Sequence, residues 1–304
     1  MLKQTIGALL IFLTMLLSGC GISSEKVVRL QGPDVPAAIQ VESSKARLPF
    51  RVAVSSILSP VETLDGYEPL LKYLEARLER PVVLLQRRTY QEVNQLLADK
   101  AVELAFVCSG GYIAGRGIEL FAVPEVKGQR TYQSYIIARA TLPAQSLKDL
   151  RGYSFAFTDP LSFSGYMAPL YMLLLDNTDP KAYFSRTFFT FSHDNSIRSV
   201  ADGIVDGAAV DSMIYDRVLA RRPEWAGRVQ IVEKSLTVGN PPVVVPQGLD
   251  SALRQKVLAI LLSMHEDPVG KQALRKLDYD RFTTPDEDLY KPLDPVWQAV
   301  RGLL

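Results

Sequence analysis

Hydroxyl side chains and backbone amides stand directly before a predicted helix in residues 159–165, whose sequence is DPLSFSG. The preceding predicted strand ends at Phe157, and the helix is predicted over 165–175. First-turn amides have no partner inside a helix, and the helix dipole is positive there. Such a helix start binds anions, so Ser162 and Ser164 are candidate anion ligands. Serine before a helix is also a common cap, and capping alone accounts for either residue.

A second segment, residues 191–196 with the sequence FSHDNS, repeats this order of strand end and helix start. His193 in this segment could donate a hydrogen bond to an oxyanion, whereas an isolated histidine is usually a surface residue or a satisfied core residue. The carboxyl ends of neighbouring parallel strands meet at one rim of a sheet. The shared position of the two segments therefore favours an anion site that includes His193.

The composition argues against catalysis, metal binding and nucleic-acid binding. The chain has 34 basic and 33 acidic residues, a balance that predicts neither a nucleic acid nor an anionic membrane surface as a partner. Two histidines, His193 and His265, and two cysteines are too few for a conventional zinc site. Clustered serines with one histidine and no orienting acid do not make a catalytic triad, and neither a nucleophile elbow nor a P-loop is recognisable. We expect a binding protein that is not an enzyme and needs no cofactor or metal.

Apolar periodicity predicts that strands and helices alternate around these segments. Before residue 110 the order is strand, helix, strand, helix, strand, which implies a parallel sheet with ligand groups at the carboxyl ends of its strands. The predicted elements are a strand over 51–57, a helix face from Tyr67 to Leu78, a strand over 82–85, a helix over 90–98 and a strand over 104–107.

The same alternation restarts after Ala140 and continues to a predicted strand over 229–234. Residues 237–242 then return to the first unit, which the last helices complete. Two α/β units, one interrupting the other, form a cleft that closes about a two-strand hinge. We therefore predict an α/β fold of two parallel-sheet lobes. Residues 50–139 and 238–304 form the first lobe in this prediction, and residues 140–237 form the second.

The N-terminus predicts export and lipid anchoring. Lys3 precedes an apolar run over 5–17, which is shorter than the roughly 20 residues of a permanent membrane span. The run ends in LSGC, which resembles a bacterial lipobox whose cysteine is acylated; an ordinary signal with a chance cysteine is the alternative. We predict a lipoprotein signal peptide over 1–19, lipidation of Cys20 and a polar tether over 20–49. The protein would then lie on the periplasmic side of the envelope, held to the membrane by lipid.

The serine and histidine segments together resemble successive motifs of the PhnD-like family of phosphonate-binding periplasmic proteins, which includes phosphite binders. The resemblance extends from Val52 to about Tyr290, and both the spacing and the order of the motifs match. It implies a type II periplasmic binding protein that serves an ABC importer and holds its ligand between two lobes. The motifs are Asp159-Pro160 with Ser162, Ser164-Gly165-Tyr166 with Pro169, Ser192-His193-Asp194 with Val200, and the segment from Val205 to Ala209.

The resemblance also implies roles for individual residues. Ser162 and Ser164, with nearby backbone amides, would bind phosphonate oxygens, and His193 would donate a further hydrogen bond. Tyr90 and Tyr132 are similar to family tyrosines that contact the ligand; without the resemblance both would be ordinary half-buried packing residues. Neutral donors of this kind can bind an anion without a buried lysine or arginine.

Three positions depart from the family pattern. Phe163 stands between the two serines, where a hydroxyl residue is common. Met213 and Asn240 stand where binders of aminophosphonates present acids, so an alkylammonium would be unpaired in the cleft. This favours a small oxyanion without a cation, such as phosphite, methylphosphonate or phosphate, over 2-aminoethylphosphonate. Asp211 is the remaining nearby acid; it could accept a proton from a protonated oxyanion, although capping of the following helix is favoured.

Cys108 and Ser109 follow a predicted strand of the first lobe and precede a glycine-rich turn opposite the serine segment. Phosphonate binders usually lack a thiol there, whereas the segment resembles the arsenite-sensing AioX-type proteins, which partner a membrane histidine kinase. A thiolate suits As(III), while a buried cysteine is also a small packing residue, and packing is the favoured interpretation. The leading function is capture of a small oxyanion for an ABC transporter permease, and the alternative is an oxyanion sensor for a histidine kinase. Cys108, Ser109 and Asp211 complete the predicted ligand-binding residues.

Overall fold

A computed structural model describes residues 48–304, and runs of β-branched and aromatic residues in this part of the chain form two β-sheets. The predicted signal peptide, the lipidation site Cys20 and nearly all of the predicted tether lie outside the described residues. The strands are β1 Phe50–Val54, β2 Val82–Gln86, β3 Leu104–Phe106, β4 Ile118–Glu125, β5 Thr131–Arg139, β6 Ser154–Phe157, β7 Arg186–Phe189, β8 Gly207–Asp211, β9 Val229–Gly239, β10 Val243–Pro246 and β11 Arg281–Thr283.

Each sheet combines parallel and antiparallel pairs. The first sheet has the order β11-β4-β10-β3-β1-β2, with β1 parallel to β2 and β3 and the remaining pairs antiparallel. The second has the order β7-β6-β8-β5-β9, with β6 parallel to β7 and β8, and β5 antiparallel to β8 and β9. The predicted α/β class and the two-lobed type II architecture are confirmed, although the sheets are not parallel throughout.

Helices follow the parallel strands, so their N-termini gather at the carboxyl ends of those strands. The helix Tyr90–Ala98 has a capping box, in which the Thr89 hydroxyl accepts from the Glu92 amide and the Glu92 carboxylate accepts from the Thr89 amide. The helices are Pro60–Leu78, Tyr90–Ala98, Ser109–Ala114, Ala168–Leu175, His193–Ala201, Ser212–Arg221, Pro223–Ala226, Ser251–Ser263, Pro268–Lys276 and Leu293–Val300. Among the described residues, no helix is both long and apolar enough to cross a membrane.

The chain passes twice between the sheets, from β4 to β5 and from β9 to β10. Asn240 joins the two passages: its side-chain nitrogen donates to the carbonyl oxygens of Pro124 at 2.9 Å and Gln129 at 3.0 Å. The backbone carbonyl oxygen of Asn240 accepts from the Tyr290 hydroxyl at 2.7 Å. These contacts hold the Asn240 side-chain nitrogen at the hinge, while the Asn240 side-chain oxygen is buried with no hydrogen-bond partner among residues 48–304.

The boundary between the lobes falls between β4 and β5. Since β5 pairs with β8 and β9, residues 131–139 belong to the second sheet, although the sequence predicted them in the first lobe. The helix Leu293–Val300 was also predicted in the first lobe. It packs against both Ser109–Ala114, which follows a strand of the first sheet, and Ala168–Leu175, which follows a strand of the second, and so it joins the two lobes.

Candidate functional site

The serine segment begins with a single wide helical turn, Phe163–Met167, that leads into the helix Ala168–Leu175. Ser162 is its cap: the Ser162 hydroxyl oxygen accepts from the Gly165 amide at 2.9 Å. The capping interpretation is therefore correct for Ser162, but a hydroxyl that accepts still has its hydrogen to donate. Ser164 is fully buried, and its hydroxyl has no hydrogen-bond partner within residues 48–304.

Phe163, which departs from the family pattern, packs beneath this segment. Its ring is fully buried and meets the ring of Tyr132 edge to face, with the ring centres 5.8 Å apart. Such aromatic pairs contribute about 0.5 to 1.5 kcal/mol beyond burial. Phe163 thus orients Tyr132, while its own backbone amide remains at the helix start as a donor.

His193 occupies the first position of the helix His193–Ala201, whereas the sequence predicted a helix start three residues later, at Ser196. The Asp211 amide donates to His193 Nδ1 at 3.0 Å, and the Thr158 hydroxyl lies 3.2 Å from the same nitrogen. Because Nδ1 accepts from an amide, the ring hydrogen is on Nε2, which is the donor available to a ligand. Burial lowers the pKa of His193 to about 3, so the ring stays neutral near neutral pH.

The residue two positions before this helix has an unusual backbone conformation. Phe191 has φ 59°, in the left-handed region that is unfavourable for a bulky side chain. Its amide donates to the Thr158 carbonyl at 2.8 Å, and its ring lies under the Arg88 guanidinium, 4.3 Å from the ring centre. The turn at Phe191 redirects the chain from β7 so that Ser192 and His193 meet the serine segment.

Asp211 ends β8 and caps the helix Ser212–Arg221. One of its carboxylate oxygens accepts from the amides of Met213 at 2.7 Å and Ile214 at 3.1 Å. The favoured capping role is therefore present, and Asp211 also lines the interlobe cavity. Burial raises the pKa of Asp211 to about 7, so its charge changes near neutral pH.

The first lobe contributes Tyr90 and Cys108. Tyr90 is 1 % exposed, and its hydroxyl has no hydrogen-bond partner in the described part of the chain. Its amide donates across the cleft to Asp159 at 3.2 Å, while the other Asp159 oxygen accepts from the Leu161 amide at 2.8 Å. Asp159 thus links the two lobes, a role that sequence reasoning missed although the residue stood in the quoted motif.

Cys108 immediately precedes the short helix Ser109–Ala114, where the sequence predicted a glycine-rich turn, and its side chain makes no capping hydrogen bond. The sulfur lies 3.8 Å from the Tyr132 hydroxyl and 3.9 Å from Ser162 Oγ. Burial raises the pKa of the thiol, so it is protonated near neutral pH. The neighbouring Ser109 hydroxyl donates to the Gly239 carbonyl at 2.7 Å, which leaves Ser109 no hydrogen for a ligand in this arrangement.

The two lobes are in close contact at Gly110. A Cβ atom at this position would lie 2.5 Å from Phe163 N and closer still to the Leu161 carbonyl oxygen, both in the second lobe. Only a residue without a side chain permits this contact. At Gly111, by contrast, the nearest atoms to such a Cβ are 3.9 Å away.

A cavity of about 900 Å³ adjoins the cluster on one side. Its lining includes Tyr132 and Asp211 together with Ser55 and Met213, but not the deeper serines or His193. Ser55, just after β1, is buried, and its hydroxyl has no partner in the part of the chain that the structure describes. The sequence predicted a strand over 51–57, which placed Ser55 inside the strand and hid it from the strand-end rule.

The structure therefore brings most of the predicted residues together. Tyr90, Cys108, Tyr132 and Ser162 lie together between the lobes, and buried Ser164 and His193 lie on the adjoining segments of the second lobe. These six residues are called the cluster, with Asp211 at its edge and Ser109 turned to the hinge. Among the described residues that form it, the cluster combines hydroxyl, imidazole and amide donors with no lysine or arginine. Such neutral donors can surround a small anion.

Comparison with known proteins identifies relatives. A family model described as ABC transporter, phosphonate, periplasmic substrate-binding protein matches residues 52–290. The chain is similar to the phosphonates-binding periplasmic protein of Escherichia coli, with 25% identity over 159 residues that cover 51% of this chain and 47% of the relative. It is also similar to the phosphate-import protein PhnD of Mycolicibacterium smegmatis, with 29% identity over 185 residues that cover 56% of this chain and 57% of that protein. The chain matches about half the length of each curated relative.

Among solved structures, a binding protein component of an ABC phosphonate transporter from Pseudomonas aeruginosa superposes with a TM-score of 0.77. The two chains are 23% identical, and the superposition covers 83% of this chain and 86% of the other. At this identity the similarity establishes the fold.

Proposed function

This chain belongs to the family of ABC transporter phosphonate periplasmic substrate-binding proteins, and from that membership we propose that it captures a small phosphorus oxyanion between its lobes for an ABC importer. The ligand class is that of phosphite, methylphosphonate and phosphate. The protein acts by binding and is not an enzyme. Its partner in this proposal is the transporter permease.

The observation that carries the proposal is the set of buried donors in the cluster. The hydroxyls of Tyr90 and Ser164 are buried without partners, and leaving such a group unsatisfied costs about 1 to 3 kcal/mol. An anion with several oxygens would satisfy both hydroxyls and accept from His193 Nε2 as well. Hydrogen bonds to a charged acceptor are worth about 1.5 to 3 kcal/mol each.

Closure would complete the site. Three hydrogen bonds already cross between the lobes beside the cluster, from Tyr90 N to Asp159 at 3.2 Å, from His193 N to the Ile57 carbonyl at 3.0 Å, and from Ser59 N to Asp194 at 3.0 Å. These bonds form only when the lobes are together. A ligand held by both lobes therefore favours the closed form, because it binds that form better than the open one.

We propose further that the protein is exported and anchored by lipid at Cys20, so that the binding lobes stay near a membrane permease. The lipobox-like LSGC segment supports this placement. Cys20→Ala would then release the protein from membranes without altering anion affinity. Membrane fractionation after signal cleavage tests this, since a variant that remained membrane-bound would contradict the lipoprotein proposal.

A second candidate function is an arsenite sensor that partners a membrane histidine kinase, and the position of Cys108 inside the cluster favours it. A soft thiolate binds As(III) better than an oxygen ligand does. The raised pKa of this thiol opposes the sensor, because the thiolate is the ligand form. Arsenite binding that is lost in Cys108→Ser and kept in Ser162→Ala would support the sensor over the transporter component.

Thermal unfolding of the purified chain with single anions tests the main proposal. We expect phosphite or methylphosphonate to raise the unfolding temperature, and aminoethylphosphonate and sulfate to raise it less. A ligand at about 100 times its Kd stabilises a protein by roughly 2.7 kcal/mol, which such a measurement detects. Unchanged unfolding with every phosphorus oxyanion would contradict the proposed function.

A further inference from the structure

The sulfur of Cys108 lies where polar groups of both lobes converge. Beyond the Tyr132 and Ser162 hydroxyls, the Phe163 and Gly110 amides are close enough to influence the thiol. Burial raises the pKa of Cys108, and these two amides lower it by less. Four polar groups thus surround one sulfur atom, which is a weak donor and a weak acceptor.

The thiol and most of these groups come from opposite sides of the cleft. Cys108 follows β3 of the first sheet, whereas Tyr132 lies in β5 and Phe163 follows β6 in the second sheet. An anion between the lobes would direct its oxygens to the stronger donors on the second lobe. The part of the anion that faces the first lobe would then contact the thiol.

Two further side chains indicate that a ligand contacts this point. The Tyr90 and Ser164 hydroxyls are buried without partners, and burial together with the neighbouring Cys108 raises the pKa of Tyr90 well above its ordinary value. The sulfur therefore lies beside a hydroxyl that it does not satisfy. One of the three oxygens of such an anion would accept from the Tyr90 hydroxyl, so that the sulfur itself faces the remaining substituent on phosphorus.

Phosphorus anions differ in the group that would face the sulfur. Phosphate has four oxygens, while phosphite and alkylphosphonates have three oxygens and either a hydrogen or a carbon. An oxygen against the thiol would exchange strong hydrogen bonds from water for a weak one, which is unfavourable. A P–H or P–C group loses nothing there, because it makes no hydrogen bond in water.

We propose that Cys108 is a specificity-determining residue that favours phosphorus anions with three oxygens over phosphate, an inference that rests on the proposed function. Family membership alone does not decide this, since one curated relative is named for phosphonates and the other for phosphate import. The selection comes from a thiol that fills space beside the anion but offers almost no hydrogen bond.

Calorimetric titration of the full chain with methylphosphonate, phosphite and phosphate tests the inference. Serine is close to cysteine in size and donates a strong hydrogen bond, so Cys108→Ser should tighten phosphate binding about tenfold or more. Methylphosphonate affinity should change by less than about threefold. Cys108→Ala removes the sulfur without adding a donor. Its ratio of methylphosphonate affinity to phosphate affinity should be closer to that of the unmodified chain than the ratio of Cys108→Ser is.

Each outcome decides the matter. If the ratio of methylphosphonate affinity to phosphate affinity is the same in the unmodified chain and in Cys108→Ser, the inference is overturned. An equal gain in phosphate affinity in Cys108→Ala also overturns it, because the space beside the anion, and not hydrogen bonding, would then determine the selectivity. If both variants lost binding of all three anions while thermal unfolding stayed normal, the thiol would be an obligatory ligand, and this result would also overturn the inference. An unmodified chain that binds none of the anions refutes the proposed function itself, a result distinct from the others.

Discussion

The two lobes supply the candidate site in different ways. On the second lobe, Ser162 is held by the Gly165 amide and His193 by the Asp211 amide, so contacts inside that lobe orient both. On the first lobe, the Tyr90 amide is held by Asp159 of the opposite lobe. The two donors of the second lobe are thus oriented within that lobe, whereas the Tyr90 amide, in a helix already capped by Thr89, bonds across the cleft.

This difference separates two tasks. Donors that are fixed in advance lose little entropy on binding, so the second lobe is suited to supply affinity. Contacts that cross the cleft, such as that of the Tyr90 amide with Asp159, form only when the lobes are together and so depend on what lies between them. We therefore expect substitutions on the second lobe to weaken the binding of every anion. Substitutions on the first lobe should affect closure or the preference among anions.

The largest expected effect is on the second lobe. Ser162→Ala combined with Ser164→Ala removes two donors to the anion, each worth about 1.5 to 3 kcal/mol, so affinity should fall by at least about two orders of magnitude. Calorimetry with methylphosphonate measures this loss. Ser146→Ala, which removes another serine cap of the same lobe far from the cluster, should leave affinity unchanged. An unchanged Kd in the double variant would remove the serines from the site.

Gly110→Ala tests closure on the first lobe. The added methyl group would overlap the backbone at Leu161 and Phe163, so the lobes could not close fully, and affinity should fall about a hundredfold. Small-angle X-ray scattering with ligand should show a larger radius of gyration than for the unmodified chain. Gly111→Ala is the matched control, because its added atom meets nothing nearer than 3.9 Å. Equal behaviour of the two variants would contradict the closed arrangement.

His193→Ala should weaken binding by about ten- to a hundredfold, the value of one hydrogen bond to a charged ligand. Because the pKa of His193 is lowered to about 3, the ring stays neutral and the loss should be the same from about pH 5 to about pH 8. The ratio of the two dissociation constants across that range measures this. A ratio that grew toward acid pH would indicate a protonated imidazole and contradict the assignment of Nε2 as a neutral donor.

The smallest expected effect concerns Asp211 at the edge of the second lobe. Its pKa is raised to about 7, so it becomes negative as the pH rises past neutrality and then repels an anion. Asp211→Asn keeps a good cap residue and removes the charge. The variant should match the unmodified chain near pH 5.5 and bind several-fold more tightly near pH 8.5. The protonation of each ligand changes with pH in the same way for both proteins. The ratio of the Asp211→Asn affinity to the unmodified affinity therefore reports the charge of Asp211 alone.

The raised pKa of Asp211 also predicts how the folding stability depends on pH. The folded chain holds the Asp211 proton above the carboxyl's ordinary pKa, so this stabilising contribution is present at low pH and is lost as the pH rises through about 7. Thermal unfolding of Asp211→Asn should lack that decline. A parallel decline in both proteins would assign it to another group.

Local sequence was sufficient where function depends on a strand end followed by a helix start. Ser162, Ser164 and His193 were predicted as anion ligands because hydroxyls and imidazole before a helix have a physical use that can be inferred from a few neighbouring residues. Asp211 was assigned to its helix cap for the same reason. Ser55 was missed because the predicted strand extended to residue 57, whereas β1 ends at Val54 and leaves Ser55 just beyond the strand end.

Tertiary structure decided what depends on distant parts of the chain. Ser109 was predicted as a ligand but its hydroxyl donates to the Gly239 carbonyl, and the Asn240 side-chain nitrogen donates to hinge carbonyls. Whether a polar side chain faces a ligand or a backbone depends on which strands become neighbours. That choice arises from long-range pairing, here of β5 with β9 and of β10 with β3, which no local pattern contains.

By itself the sequence determined the alternation of strands and helices, the two-lobed class and the donor residues at helix starts, because each follows from periodicity and backbone chemistry over short spans. Only the tertiary structure decided that Gly110 lies against Phe163, that Asp159 holds Tyr90, and that the Cys108 sulfur lies among the donors. These contacts join residues from opposite lobes. Their geometry is set by how the two sheets pack about the hinge, which is a property of the whole folded chain.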